Sequence, residues 1–439
     1  MIQKSVLIIS FIFSSFCYGQ PGNYEDDIKK YRQVIASNVH DTLKVKAIKK
    51  WDQLIYLNDP QLDFQLNQQI DSICDLNLAS ELSPKANRFF LKEKASATNI
   101  IGIYHYQRGE YDQAISYYSY SYQMLKELGD KSGQANAVNN IGVVYFRLNE
   151  FDKALDYYHQ GLALRLAVKD TIGIAGSYRN LATANEKKGD FYTAIEYLNK
   201  EKTLNQIIQD SVSIATSFVE IGVINFRLEN FEVSYDYFCK AKNILLQQQA
   251  LTELPRVYNS LGAYFEKANM LDSAIYYYDK SIVIATEFNK PYNIAMATHN
   301  KGIILTIQGD HEGGEELIRE AIKISENIGD VAGYLSSLNT LGEIMNSRGE
   351  YEKAAKIGDE ILLLLNDVQL DMDGYADTYN MIYTAAKNLK NYQKALEFHE
   401  MYITYKDSFI NNTNQRLLIR KEFESQTKTD SIKNYEFIK

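Results

Sequence analysis

The sequence predicts an all-α protein, a right-handed α-solenoid of about 8–9 antiparallel helix pairs. Three observations carry this prediction. A small residue recurs every 40 residues along most of the chain, and each interval contains two amphipathic helical patterns. Only 5 of the 439 residues are proline, an amino acid that concentrates in loops and interrupts helices. Hydrophobic residues make up 45% of the chain and charged residues 23%, as in ordinary globular proteins.

The 40-residue interval is defined by a column of glycines that contains one alanine. Its members are Gly102, Gly142, Ala182, Gly222, Gly262, Gly302 and Gly342. Another column of small residues follows twelve positions later, at Ala114, Ala154, Ala194, Ser234, Ala274, Gly314 and Ala354. Because glycine inside a helix costs about 1 kcal/mol relative to alanine, we expect these columns to meet where the two helices of a pair cross. An eighth unit follows near Tyr383 with a shift of one residue.

Tyrosine, with 34 copies, forms a further column fifteen positions after the glycine. Its members are Tyr117, Tyr157, Tyr197, Tyr237 and Tyr277. A tyrosine buries a large ring while its hydroxyl reaches a polar edge. We therefore expect these side chains to pack in the core and between repeats rather than to form a surface on which a ligand stacks.

Each repeat is predicted to contain two helices joined by a short turn. Between Gln134 and Leu148, apolar residues recur at helical spacing, and a second apolar face runs from Phe151 to Val168. Asn149-Glu150 is the predicted turn between them. Asp130 or Ser132 is expected to cap the first helix, because its side-chain oxygen can accept the unpaired N–H groups there.

These residues resemble a known repeat. The segments Asn139–Tyr145 and Asn149–Tyr158 look like a tetratricopeptide repeat in its longer variant of roughly 40 residues, and Leu128-Gly129-Asp130 resembles its inter-repeat signature. The chain departs from the shorter form by lacking a proline near each repeat end. The resemblance covers residues 84–410 and implies a concave groove, lined by the first helix of each pair, that holds a protein or peptide segment.

The first 19 residues are predicted to be a signal peptide. Lys4 precedes an apolar run, Val6–Phe16, which is too short to cross a bilayer, and Cys17 and Gly19 are the small residues before Gln20. We therefore expect an exported protein of the periplasm or cell envelope. The alternative is a lipoprotein acylated at Cys17, which Phe16 disfavours because such signals place a small residue before the cysteine.

The remaining boundaries follow from the repeat register. Residues 20–83 are predicted to hold N-terminal helices and a degenerate capping repeat over Asp41–Leu78, with Pro60 at a first helical position. Residues 84–410 form the solenoid. Residues 411–439 leave the register and resemble the stalk that leads, in exported proteins of this kind from Bacteroidetes-type bacteria, to a membrane helix. In those proteins an intracellular histidine kinase or nucleotide cyclase follows the membrane helix. For this chain, a membrane tether is therefore expected only if the sequence is truncated.

Composition and motifs argue against several functions. A net charge of −9, from 47 basic and 56 acidic residues, gives no electrostatic case for nucleic acid. Three cysteines are too few for a disulfide scaffold or a cysteine-rich zinc module. The sequence contains no glycine-rich phosphate loop, no paired-histidine metal spacing and no nucleophile elbow. We therefore expect no enzyme activity, no catalytic residues, no metal and no cofactor.

A stripe of asparagines precedes the glycine column and is the candidate binding site. Asparagine is a poor residue inside helices because its amide competes with the backbone. An amide both donates and accepts, so a ladder of amides can hold an extended peptide. Alternatively, the amides bridge adjacent repeats. The predicted groove residues are Asn99, Asn139, Asn140, Asn180, Asn259, Asn300 and Asn339.

Basic residues flank this stripe and complete the predicted site. Arg147, Arg179, Lys187 and Arg227 would form a basic stripe for an acidic segment, although a solvated helix face is the alternative. The sequence thus favours an exported module that binds a protein or peptide and serves as a sensory input. The other hypotheses are the truncated ectodomain of a transmembrane histidine kinase or cyclase, and an envelope assembly scaffold.

Overall fold

The computed structural model describes residues 24–55, 59–365 and 372–407. The segments expected to form the signal peptide and the C-terminal stalk lie outside these residues. The described part of the chain is helical and contains no strand, which confirms the all-α prediction. The described residues divide into two compact units, the first ending at Ile208 and the second beginning at Gln209.

The helices of each unit follow one another closely along the chain. The first unit contains α1 (Glu25–Ala36), α2 (Asp41–Ile55), α3 (Pro60–Leu78), α4 (Pro84–Gln107), α5 (Tyr111–Glu127), α6 (Lys131–Arg147), α7 (Phe151–Val168), α8 (Thr171–Lys188) and α9 (Phe191–Ile207). The second contains α10 (Ser211–Arg227), α11 (Phe231–Gln247), α12 (Leu254–Lys267), α13 (Leu271–Glu287), α14 (Pro291–Ile307), α15 (His311–Ile328), α16 (Val331–Ser347), α17 (Tyr351–Leu364), α18 (Met372–Asn388) and α19 (392–407).

In both units, helices pack in pairs, and each pair packs on the next. The pairs of the first unit include α4–α5, α6–α7 and α8–α9, and those of the second run from α10–α11 to α16–α17. The helix boundaries have the predicted causes. Asp130 caps α6 by accepting a 2.9 Å hydrogen bond from Gly133 N, and Asn149, in the turn before α7, has a left-handed backbone with φ of 59°. Within each unit the chain therefore has the predicted solenoid organisation.

The N-terminal helices form their own small core. Trp51, Ile48, Ile70 and Phe90 are buried together between α2, α3 and α4. Pro60 occupies the start of α3, which Asp59 caps through a 3.0 Å hydrogen bond from Leu62 N. The segment expected to form a degenerate repeat thus folds as two helices.

An aromatic ring explains the glycine in the repeats of Gly102 and Gly142. A Cβ atom placed on Gly142 would lie 2.7 Å from Cε1 of Tyr158 and 3.3 Å from the carbonyl oxygen of Ala154. The equivalent atom on Gly102 would lie 2.7 Å from Cε1 of Tyr118. In these two repeats the ring that covers the glycine comes one position after the predicted tyrosine column, and it leaves no space for a side chain where the helices cross.

The predicted tyrosine column itself is only half-buried, which corrects the expectation of a core position. Tyr157 stacks on Tyr145 of the preceding helix with ring centroids 5.4 Å apart. Tyr197 stacks on Tyr178 in the same way, at 5.8 Å. These rings pack between the two helices of a repeat while one edge stays accessible, because the next position along the helix already fills the core.

Candidate functional site

The predicted asparagines lie close together in pairs that join consecutive repeats. Asn140 Nδ2 donates to Asn99 Oδ1 at 3.1 Å, and Asn180 Nδ2 donates to Asn139 Oδ1 at 2.7 Å. In the second unit, Asn300 Nδ2 donates to Asn259 Oδ1 at 3.3 Å. In each pair the donor lies two residues before the glycine-column residue of its own repeat. The acceptor lies three residues before the glycine-column residue of the preceding repeat. The amides thus bridge adjacent repeats.

These bridges leave the amides with further hydrogen-bonding capacity. A carboxamide has two N–H donors and an oxygen that accepts two hydrogen bonds. The bond between Asn180 and Asn139 uses one donor of the first residue and one lone pair of the second. Both side chains are half-buried, so one side of each amide stays accessible. The arrangement can therefore hold the repeats together and still present donors and acceptors on the same face.

Asn339 differs from the other members of the stripe. Its Nδ2 atom lies 3.5 Å from Glu343 Oε1, one turn further along α16. Its Oδ1 atom is buried and has no hydrogen-bond partner among the described residues. Within the same part of the chain, Asn339 forms no bridge to another asparagine of the stripe. It therefore ends the series of paired amides.

The four predicted cations have different surroundings. Arg147, Lys187 and Arg227 are exposed, each in the last turn of its helix, where a positive charge also complements the helix dipole. Arg179, by contrast, binds Glu201 of α9 through Nε at 2.7 Å, and Glu201 is only 1% exposed. The charge of Arg179 is therefore directed to a buried carboxylate rather than to the accessible stripe.

Two further polar bridges occupy the same face and do not follow from the asparagine pattern. Arg256 forms a two-pronged ion pair with Glu220, at 2.5 and 2.7 Å, between α12 and α10. His299 lies 3.0 Å from Ser337 Oγ, between α14 and α16. Burial lowers the pKa of His299 to about 4, so its ring is neutral at neutral pH. Glu220 and His299 lie at the repeat positions that asparagines occupy in other repeats. Their position in the repeat therefore indicates the face on which they lie, although the residue types do not indicate their partners.

The described residues offer neither a metal site nor a membrane span. They contain no group of three or more histidine, cysteine, aspartate or glutamate side chains arranged to hold a metal ion. No helix among residues 24–55, 59–365 and 372–407 combines the length and apolar character needed to cross a bilayer. The thiols of Cys74 and Cys239 are both free.

Comparisons with known proteins relate this geometry to a family. The tetratricopeptide repeat model matches residues 93–167 and 293–364, one segment in each unit. No curated protein sequence matches the chain.

Several solved structures share the fold at low sequence identity. Aspartyl phosphate phosphatase F from Bacillus subtilis is 15% identical, with a TM-score of 0.55 over 81% of this chain and 96% of that one. The apo quorum sensor NprR from B. thuringiensis is 13% identical, with a TM-score of 0.54 over 78% and 99%. Apo RapI is 17% identical, with a TM-score of 0.50 over 68% and 99%. The 40-residue helix pairs and the family model together identify residues 93–167 and 293–364 as tetratricopeptide repeats, one segment in each unit.

Proposed function

We propose that the chain is a binding module that holds a protein or peptide segment along the asparagine face of its repeats. The observation that supports this most strongly is the series of amide bridges. They fix the orientation of amides in consecutive repeats, and a preorganised site loses less entropy when a ligand binds. The amides that remain accessible can bind the main chain of an extended segment, as amides both donate and accept.

The charges on this face favour an acidic segment. Arg147 and Lys187 are exposed at equivalent positions of consecutive repeats in the first unit. Exposed charges of one sign steer an oppositely charged partner and contribute to specificity more than to affinity. Arg179 has a positioning role in this proposal, because its guanidinium group is bound to Glu201.

The proposed place of action is the cell envelope, after export and cleavage before Gln20. This part of the proposal is based on the pattern of the first 19 residues. A sensory input is the role that we propose there, and one solved structure with this fold is described as a quorum sensor. N-terminal sequencing of the exported chain tests the proposal directly: Gln20 is the expected first residue, and a retained Met1 contradicts export by cleavage.

Binding can be tested with a selection in which the partner need not be identified beforehand. A library of random peptides is selected against the purified chain, and the affinities of enriched peptides are measured for the variant Asn140→Ala/Asn180→Ala. We expect affinity to fall at least about tenfold, which corresponds to about 1.4 kcal/mol. Asn243→Ala, which changes an exposed asparagine on α11, is the matched control and should bind as the wild type does.

Two results would contradict this proposal. One is that no peptide is enriched over a blank surface. The other is that enriched peptides bind the Asn140→Ala/Asn180→Ala variant as tightly as the Asn243→Ala control, while circular dichroism shows that both proteins are folded. In the second case the amides would have only the structural role that their bridges already demonstrate.

A further inference from the structure

A cavity of about 390 Å³ lies among α15, α16 and α17, all in the second unit. Its volume falls within the range of small-molecule sites, about 300–1,000 Å³. Its walls are mainly apolar and are formed by Ile322, Leu338, Leu341, Met345 and Ile357. None of the asparagines of the proposed binding face lines it.

The cavity occupies a place that aromatic rings fill in an earlier repeat. In the repeat of Gly262, the Tyr277 ring stacks on the Phe265 ring, with ring centroids 5.2 Å apart. The centroid of the Tyr258 ring lies 5.9 Å from that of Tyr277. The three equivalent residues in the repeat of Gly342 are aliphatic and line the cavity: Ile357, Met345 and Leu338. Smaller side chains at these three positions leave a space where the earlier repeat holds aromatic rings.

Three cationic side chains lie at the rim of the cavity. Arg319, Lys353 and Lys356 surround it, while Glu360 is the one carboxylate among the lining residues. Lys356 is exposed and has no ion-pair partner among the described residues. Arg319 pairs with Glu315 of its own helix and Lys353 pairs with Glu350, the residue before α17, and more than half of each cationic side chain is exposed. Such exposed pairs are weak and can be exchanged for another anion.

The acidic residue on the rim is held by a neighbouring hydroxyl. Tyr334 donates a hydrogen bond of 2.5 Å from its hydroxyl to Glu360 Oε1. Burial, and then this hydrogen bond, raise the pKa of Tyr334, so its hydroxyl stays protonated and remains a donor. The hydrogen bond partly compensates the Glu360 charge, which leaves the exposed Lys356, unpaired among the described residues, as the charge at the rim most available to an anion.

We propose that this cavity binds an aromatic carboxylate, whose ring contacts Leu338, Met345 and Ile357 and whose carboxylate lies at Lys356 and Arg319. The apolar walls exclude a fully hydrated ion, and the cationic rim distinguishes a carboxylate from an uncharged ring of the same size. A free aryl acid and the C-terminal aromatic residue of a peptide present the same ring and carboxylate, and the test separates them.

The test uses the purified chain and isothermal titration with defined probes. We expect saturable binding of 3-phenylpropionate, at least about tenfold tighter than 3-phenylpropionamide, which lacks the charge. The peptide Ala-Ala-Phe with a free C-terminus then distinguishes the sources: tighter binding than 3-phenylpropionate indicates a peptide end, and weaker binding indicates a free acid. Failure of both acids to bind, or equal affinity for the acid and the amide, overturns the proposal.

Three variants test whether 3-phenylpropionate binds in this cavity. Ile357→Tyr restores the ring of the earlier repeats, fills the space and should abolish binding of 3-phenylpropionate while the helical circular dichroism is retained. Lys356→Gln changes an exposed residue and should weaken the acid at least about fivefold without affecting the amide, so it serves even if the first variant does not fold. Lys323→Gln, an exposed lysine of α15 outside the lining, is the control. Unchanged affinity in folded Ile357→Tyr overturns the assignment.

Discussion

Asn180 Nδ2 donates a 2.7 Å hydrogen bond to Asn139 Oδ1, and the two residues lie 41 positions apart in consecutive repeats. Because solenoid repeats contact only their neighbours, their stability depends on interfaces of this kind. The same bond, with its donor and acceptor at the same repeat positions, joins Asn140 to Asn99. The asparagine stripe is therefore part of the interface between repeats, whether or not it also binds a ligand.

We predict an energetic coupling between Asn139 and Asn180. Asn139→Ala removes the acceptor and leaves a half-buried donor, but it also gains up to about 0.7 kcal/mol of helix propensity. A double-mutant cycle cancels the propensity gain and isolates the bond. We expect a coupling of about 0.5–1.5 kcal/mol, the usual net value of a hydrogen bond, measured by urea unfolding.

The control for this cycle pairs Asn99 with Asn180, which lie two repeats apart and are bonded to different partners, Asn140 and Asn139. Their alanine variants should be additive within about 0.5 kcal/mol. A coupling of zero between Asn139 and Asn180 would show that the bridge contributes no stability in solution.

We also predict opposite effects for two glycines that both lie inside helices. An added Cβ at Gly142 meets the Tyr158 ring at 2.7 Å, whereas at Gly161 its nearest contact is an ordinary 3.4 Å from Ala135 O. Gly142→Leu should therefore destabilise the protein by about 1–3 kcal/mol through overpacking. Gly161→Ala should stabilise it by up to about 1 kcal/mol through helix propensity. Thermal melting distinguishes the two, and an unchanged melting temperature for Gly142→Leu would contradict the packing explanation.

The repeat architecture could be predicted from the sequence because it is encoded locally and many times over. The glycine column, the capping Asp130 and the turn at Asn149 each act within a few residues, so periodicity reveals them. The sequence did not identify which of two adjacent aromatic positions is buried. Tyr157 and Tyr158 differ by about 100° around a helix axis, and the crossing geometry of the two helices decides which one covers Gly142.

The candidate site was predicted less completely, for physical reasons that differ from residue to residue. Periodicity located the asparagines but left two roles open, because an amide can donate to a neighbouring repeat or to a ligand. The partner of Arg179 is Glu201, in the second helix of its repeat, and a pairing across helices has no signature in the spacing. The cavity at Ile357 arises from rings that are missing, which becomes visible only when the surrounding helices are in place.

Arg179 should be more important for stability than the exposed cations of the stripe. It binds Glu201, which is 1% exposed, so Arg179→Ala withdraws the guanidinium group from a buried carboxylate. Removing one partner of a buried ion pair typically costs about 3–5 kcal/mol. Lys187→Ala, at an exposed position of the same helix, should change stability by less than about 0.5 kcal/mol. Equal effects of the two variants in urea unfolding would contradict this assignment.

The N-terminal helices should make stability depend on pH through Asp63. Asn67 Nδ2 lies 3.0 Å from both Asp52 Oδ1 and Asp63 Oδ1, so two carboxyl groups share one donor. Burial, together with the neighbouring Asp52, raises the pKa of Asp63 to about 8, against about 4 in an unfolded chain. The folded protein therefore binds the proton of the Asp63 carboxyl group more tightly than the unfolded chain does. The resulting contribution to the free energy of unfolding is fully present below about pH 4. It is lost as the pH rises from about 4 to 8.

Asp63→Asn imitates the protonated side chain at every pH and tests this dependence. We expect the variant to melt at the same temperature as the wild type near about pH 4 and at a higher temperature at about pH 8, above the unfolded and near the folded pKa. Asp156→Asn, on the exposed face of α7, is the control and should show no such divergence over the same range. If Asp63→Asn is less stable than the wild type at the upper pH, the Asp63 carboxylate is ionised and stabilising there, and its pKa is not raised by burial and Asp52.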